Sequence, residues 1–361
     1  MARNLGARNL VVCLDGTSNE PETGTTNVAR AYAVAAQTEG QLVFYDPGVG
    51  TMGARGAVTG IGRRATRAAG LVVGFGVKDN IEEAYGWLSE HYRRDDRIFV
   101  FGFSRGAYTA RALTGMLRTV GLLRPGAGNL VPYALKLYAQ SGGQDPAPHQ
   151  EREFWRLRRD FTDRFGNPDL PNPFDPHRHQ VHFLGVWDTV RTIGWLNWKA
   201  QLEQARWPFT RRITNVGTAR HAMALDERRR PYPVYRFDPT IVRESEGRYV
   251  EEWFAGVHSD VGGQYPADHR LSDIAFTWML DAAVAAGLEV DPQAYRKHVG
   301  VRPGEPLPED GVLGIVHENP GAWRLLGGWK PRRLQPGDVL HPSVAAKIAV
   351  SAYRPRATGA P

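Results

Sequence analysis

Short, unbroken apolar runs recur along this chain and alternate with stretches whose apolar residues return every three or four positions. The runs at 9–14, 42–46, 98–103, 181–187, 232–237 and 250–257 predict strands. Runs without polar alternation suit strands covered on both faces, as in parallel sheets. The periodic stretches at 26–37, 79–94 and 214–229 predict helices, as does the segment after residue 104. In 79–94 the apolar stripe is Ile81, Ala84, Tyr85, Leu88 and Tyr92. Asp79 with Glu82 resembles a capping box at its start, and Arg93 and Arg94 suit its C-terminal dipole. The alternation predicts an α/β fold, with a mostly parallel central sheet and helices on both faces.

Residues 122–180 interrupt that rhythm with Pro/Gly-rich pieces and aromatic amphipathic stretches. They are expected to form a helical cap inserted in one domain spanning 1–361. A second aromatic cluster, Trp195, Trp198, Trp207 and Phe209, follows the 181–187 strand and is expected near its C-terminal end, where an apolar substrate wall would stand. The chain after about residue 350 is expected to be loosely ordered.

Composition narrows the class only modestly. No apolar stretch reaches the roughly 20 residues that span a bilayer, and the first residues lack the apolar core of a signal peptide. Cys13 is the single cysteine, so it has no internal disulfide partner and reads as core filling. A cytoplasmic location, or export independent of a cleaved signal, is expected. The net charge of +7 is uneven: residues 296–361 carry ten Lys/Arg against five acids. This basic C-terminal extension reads as a solvated face, or as a surface for peripheral contact with an anionic membrane. No nucleic-acid-binding motif accompanies it, and nothing calls for a cofactor. The oligomeric state is left open.

The chemistry concentrates at Gly102-Phe103-Ser104-Arg105-Gly106. A G-x-S-x-G segment between a strand and a helix is the nucleophile-elbow pattern, which presents one serine hydroxyl at a sharp turn. Ala110, Leu113, Leu117 and Val120 make the helical face that follows, and Gly121 supplies a stop. A serine hydroxyl needs a base, a group orienting that base, and donors for the developing oxyanion. In elbow-bearing α/β folds the acid and then the histidine follow the serine, each at a strand end. Asp188 and His258 occupy those positions, with Gly262 and Gly263 allowing a sharp turn nearby. His221, read as mid-helix, is the alternative base, and Asp260 is the alternative acid. Arg105 N–H and a donor from the Asp15-Gly16-Thr17 loop, best Gly16, are expected to hold the oxyanion. Asp15, Thr17, His221 and Asp260 are candidates for substrate or supporting contacts. A metal-dependent hydrolase using Asp15, Asp188, His258 and Asp260, or a non-catalytic binding protein, are the alternatives.

Gly48-Val49-Gly50-Thr51-Met52-Gly53 matches G-x-G-x-x-G, yet no acid stands about 20 residues on, as a dinucleotide site requires. Arg55, Arg63, Arg64, Arg67 and Lys78 among glycines instead suggest a basic loop near a substrate phosphate.

Four blocks in this order carry a family resemblance. They are Leu14-Asp15-Gly16-Thr17 with Asn19, Phe101 through Ala107, Gly185 through Val190, and Val257 through Gly263. His221-Ala222 with Asp226-Glu227-Arg228 extends the likeness, which covers about residues 9–285. The chain resembles the α/β-hydrolase-like family that includes the catalytic domains of type VI secretion phospholipase effectors. The resemblance implies an α/β-hydrolase fold, a Ser104–Asp188–His258 triad and a serine esterase cleaving a phospholipid acyl ester through an acyl-enzyme.

Overall fold

The computed structural model describes residues 7–16, 25–48, 76–140, 148–175, 177–190, 207–319, 321–324 and 327–360. Its centre is a seven-stranded sheet: β1 (Asn9–Leu14), β2 (Gln41–Asp46), β3 (Arg97–Phe103), β4 (Val181–Trp187), β5 (Val216–Ala224), β6 (Tyr249–Phe254) and β7 (Val339–Leu340). The strand order is β2-β1-β3-β4-β5-β6-β7, and every neighbouring pair is parallel. The helices are α1 (Asn27–Val34), α2 (Val77–His91), α3 (Ser104–Val120), α4 (Val131–Ala139), α5 (Pro148–Phe165), α6 (Pro239–Glu244), α7 (His258–Gly262), α8 (Arg270–Ala285), α9 (Pro292–Val299) and α10 (Pro342–Val350).

The two-residue period of the strands divides the core. Leu10, Val12, Leu14, Ile98 and Val100 pack with α2, α3 and α4 on one face. Val11, Cys13, Phe99, Phe101 and Phe103 pack with α1 and α8 on the other. Cys13 is fully buried, and burial next to Asp15 pushes its thiol pKa up, so it acts as an apolar side chain. The α/β class and its parallel sheet are as the sequence pattern predicts.

Several elements differ in detail. Residues 214–229 hold strand β5 rather than a helix, and 232–237 form a loop instead of a strand, joined to Val190 by a Val190–Val234 bridge and to β6 through Arg236 and Phe237, which both bond Glu251. Alanine, methionine and arginine favour helices intrinsically. Here tertiary context wins, because β5 sits between β4 and β6 with small side chains under packed layers. The N-cap of helix α2 is Gly76, with a φ of 111° and no side-chain cap bond, so Asp79 lies in the first turn and not in a capping box. The last residues are tied down: Thr358 N–H donates to Arg332 O at 2.8 Å, and Ala357 is buried.

The described residues of the 122–180 insertion pack on the α2–α3 layer, with α4 against both helices and α5 against α3. Trp207 stacks on Tyr138 at 5.4 Å, and Phe209 lies beside Phe154 and Trp155. Both aromatics therefore fill the junction between this insertion and α3. Trp195 and Trp198 lie outside the described residues.

Two glycines give a direct test of this packing. A Cβ on Gly106 would stand 2.2 Å from Leu14 O and 2.4 Å from Asp15 O, whereas one on Gly86, within α2, meets nothing within 4 Å. Gly106→Ala should lower stability by about 2 kcal/mol or more in urea unfolding. Gly86→Ala should be neutral, or raise it by up to about 1 kcal/mol. Equal effects would contradict the close approach of β1 and α3.

Candidate active site

The elbow forms because strand β3 runs straight into helix α3 with Ser104 at the turn. Ser104 takes a φ of 57°, a left-handed conformation that serine rarely adopts. Gly102 and Gly106 make that turn feasible, since a Cβ on Gly102 would lie 2.6 Å from Gly106 O. The turn leaves the Ser104 hydroxyl at the C-terminal edge of the sheet.

Two other strand ends converge on it. Asp188 follows β4, with a φ of 36° and its N–H bonded to Ala222 O at 2.7 Å. His258 opens α7 just after β6. Gly256 (φ 116°) permits the turn there, and its N–H donates to Asp226 Oδ2 at 2.7 Å. The His258 N–H donates to Glu227 Oε2 at 3.2 Å. His258 Nδ1 lies 2.5 Å from Asp188 Oδ2, and Ser104 Oγ lies 2.8 Å from His258 Nε2. The consistent tautomer carries the proton on Nδ1, donated to Asp188, while Nε2 accepts from the serine hydroxyl. Ser104, Asp188 and His258 thus form one continuous hydrogen-bonded chain, and all three are buried.

The electrostatics fit a neutral base beside an ionised acid. Burial alone would raise the Asp188 pKa. Arg332 and His258 overcome that and hold the carboxyl well below the usual range. Burial lowers the His258 pKa, and Asp188 partly offsets the shift. Asp188 Oδ1 accepts from Ala224 N–H at 2.9 Å and from Arg332 Nη1 at 2.5 Å, and Oδ2 accepts from Arg332 Nη2 at 2.9 Å.

The remaining candidates have other engagements. His221 is a strand residue of β5, not a helical one. Its Nδ1 bonds Glu251 Oε1 at 2.8 Å and its Nε2 accepts from Thr189 N–H at 3.2 Å. Fully buried, with its pKa pushed down to about 4, it braces the chain next to Asp188. Asp260 accepts from Val257 N–H and pairs with His317 Nδ1 at 2.6 Å, so it caps the turn before α7. Asp15 bonds Thr26 Oγ1 at 2.5 Å and the Tyr45 hydroxyl at 2.8 Å, and its Oδ1 takes the Gly16 N–H at 2.7 Å. Thr17 and the 49–75 part of the basic loop lie outside the described residues. Among the described residues no three His, Cys, Asp or Glu side chains gather as a metal site.

Sequence reading missed the surroundings of His258. Tyr232 meets its ring edge-on at 5.1 Å and in turn meets Trp323 at 5.4 Å. Arg229 lies 3.8 Å over Tyr232 and pairs with Glu227 at 2.7 Å. Trp323 and Arg332 both come from the basic extension, where nothing in the pattern separates an inward cation from a solvated one.

A family model described as "T6SS, Phospholipase effector Tle1-like, catalytic domain" matches residues 8–282. The uncharacterised protein YEL023C of Saccharomyces cerevisiae is 30% identical over 240 residues, covering 64% of this chain and 33% of its own length. An uncharacterised protein from Pseudomonas aeruginosa aligns in structure with a TM-score of 0.43 at 18% identity, over 81% of this chain and 48% of that one. The Tle1 effector bound to the VgrG spike of the type 6 secretion system aligns with a TM-score of 0.39 at 17% identity, over 72% and 52%. The chain therefore spans a third to about half of the length of these relatives.

The buried histidines set a pH dependence of stability. His221 takes a proton near 6.5 when unfolded but only near 4 when folded. The unfolded state binds more protons in that window, so stability falls as pH drops from 6.5 toward 4. The lowered pKa of His258 adds to the same slope. Urea midpoints should fall between pH 7 and pH 5, and His221→Gln should flatten the change. A variant with the wild-type slope would contradict the assignment.

Proposed function

The chain belongs to the type VI secretion Tle1-like phospholipase-effector catalytic-domain family, and on that premise we propose that it is a serine hydrolase of lipid acyl esters. The observation that carries this reading is the Ser104–His258–Asp188 hydrogen-bonded chain on a nucleophile elbow. In the proposed reaction Ser104 Oγ attacks the ester carbonyl carbon as its proton passes to His258 Nε2. Asp188 holds the imidazole through Nδ1 and stabilises the imidazolium that forms. The N–H groups of Arg105 and Gly16 are the donors we assign to the oxyanion, with Gly16 exchanging Asp15 Oδ1 for the substrate oxygen. The tetrahedral intermediate then collapses, and His258 returns the proton to the departing alcohol. This leaves an acyl group on Ser104. Water, deprotonated by His258, attacks the acyl carbonyl carbon; the second tetrahedral intermediate expels Ser104 Oγ, which takes the proton back from His258 Nε2, and the fatty acid leaves.

A phospholipid is the substrate class we favour. Arg296, Lys297, Arg302, Lys330, Arg333 and Arg354 are exposed cations of the extension and suit lipid phosphates. Arg332 and Lys347, by contrast, are buried, so part of the excess charge serves the interior. No described helix is long and apolar enough to cross a membrane, so contact with lipid is proposed as peripheral.

A fluorophosphonate should label wild type at Ser104 and leave Ser104→Ala unlabelled. Wild type should cleave p-nitrophenyl esters with kcat/KM rising with acyl length. Asp188→Asn and His258→Gln should each lose roughly a thousandfold or more in kcat. Absence of labelling in folded wild type would favour the non-catalytic reading. Binding to vesicles should require anionic lipid and weaken as salt rises. Equal binding to neutral vesicles would contradict the electrostatic contact.

A further inference from the structure

Arg332 is not a member of the triad, yet it makes the closest charged contact to it. It lies beyond residues 8–282, the part that matches the family. Its guanidinium grips both oxygens of Asp188, at 2.5 and 2.9 Å, from a buried position. The same two nitrogens also donate to Ala224 O at 2.7 Å and Tyr232 O at 3.0 Å. The side chain is thereby fixed against the ends of β4 and β5 and against the loop bearing Tyr232.

The backbone carrying it is locked as firmly. Lys330 N–H donates to Arg228 O at 2.6 Å, and Arg229 and Trp329 form a β-bridge. On the far side, Thr358 bonds Arg332 O, and Tyr353 and Arg356 hold the carboxylate of Asp226. Asp226 in turn fixes the turn before His258 through Gly256 N–H. The C-terminal segment is thus bolted to the loop that orients the histidine.

We propose that Arg332 is a positioning residue of this site, fixing the Asp188 carboxylate and setting the pH range over which His258 is the free base. An aspartate beside a histidine stabilises the imidazolium. A guanidinium on the other side of the same carboxylate cancels part of that attraction, and burial leaves little water to screen it. His258 is therefore kept unprotonated to a lower pH than an unassisted Asp–His pair would allow. Among the described residues, the other polar or charged groups facing His258 are Ser104 from α3 and Glu227, Arg229 and Tyr232 from the segment after β5, and the Phe103 ring packs on the imidazole at 4.6 Å. Glu227 and Arg229 pair with each other, and Asp260 on α7 is bound to His317. The bidentate geometry is specific to arginine, because lysine offers a point charge without the fork.

The proposal rests on the serine-hydrolase reading for its rates but not for its titration. The test uses the full chain as wild type, Arg332→Gln, Arg332→Lys and Arg243→Gln, the last altering an exposed arginine of α6. The His258 ring is titrated by nitrogen-15 NMR, and ester hydrolysis is followed against pH. Arg332→Gln should raise the His258 midpoint by about one unit, moving the acidic limb of kcat/KM upward. Arg332→Lys should stay near the wild-type midpoint but lose roughly tenfold in kcat with little change in KM. Arg243→Gln should match wild type in both. An unmoved midpoint in Arg332→Gln overturns the inference. If that variant does not fold, wild-type kcat in Arg332→Lys overturns it instead. A wild type that folds and titrates but hydrolyses nothing overturns the hydrolase reading alone, and the midpoints still decide the role of Arg332.

Discussion

A single carboxylate with no exposure to water organises this molecule. Asp188 is fully buried at the end of β4, and an ionised carboxylate there is tolerable only if both oxygens are bonded. Its partners come from distant parts of the chain: a backbone N–H at the end of β5, the imidazole of His258 after β6, and the guanidinium of Arg332 near the C-terminus. Satisfying one charge therefore draws the ends of adjacent strands and the terminal segment to one point. The parallel sheet makes the convergence possible, because the C-terminal ends of its strands share one edge.

The serine arrives by a separate constraint. Close approach of β3, α3 and the end of β1 leaves no room for side chains at Gly102 and Gly106. That crowding holds Ser104 in its left-handed conformation, with its hydroxyl 2.8 Å from His258. Removal of the carboxylate would leave the elbow intact and the imidazole unheld. Filling the elbow would displace Ser104 while the Asp188–His258 pair stayed in place. The two halves of the site thus have different structural origins.

What was legible in the sequence follows from which signals are local. The elbow and the strands before Asp188 and His258 are contiguous patterns, so the three residues are readable from their neighbours. Strand β5 was not, because Ala219, Ala222, Met223 and Ala224 favour helices and only their place between β4 and β6 makes them extended. The same misreading set His221 in a helix, whereas its bonds to Glu251 and Thr189 are cross-chain contacts that carry no spacing signal. Arg332 was hidden for a related reason. In a basic segment a buried arginine looks like its solvated neighbours, and its partner lies 144 positions away.

The account stands most directly on a covalent acyl group at Ser104. Rapid-quench mixing with p-nitrophenyl butyrate, followed by intact-mass and peptide analysis, reads that intermediate. A burst of p-nitrophenol stoichiometric with the protein, and one butyryl group mapped to Ser104, is the predicted result. Undiminished hydrolysis by Ser104→Ala, or an adduct on another residue, would contradict it.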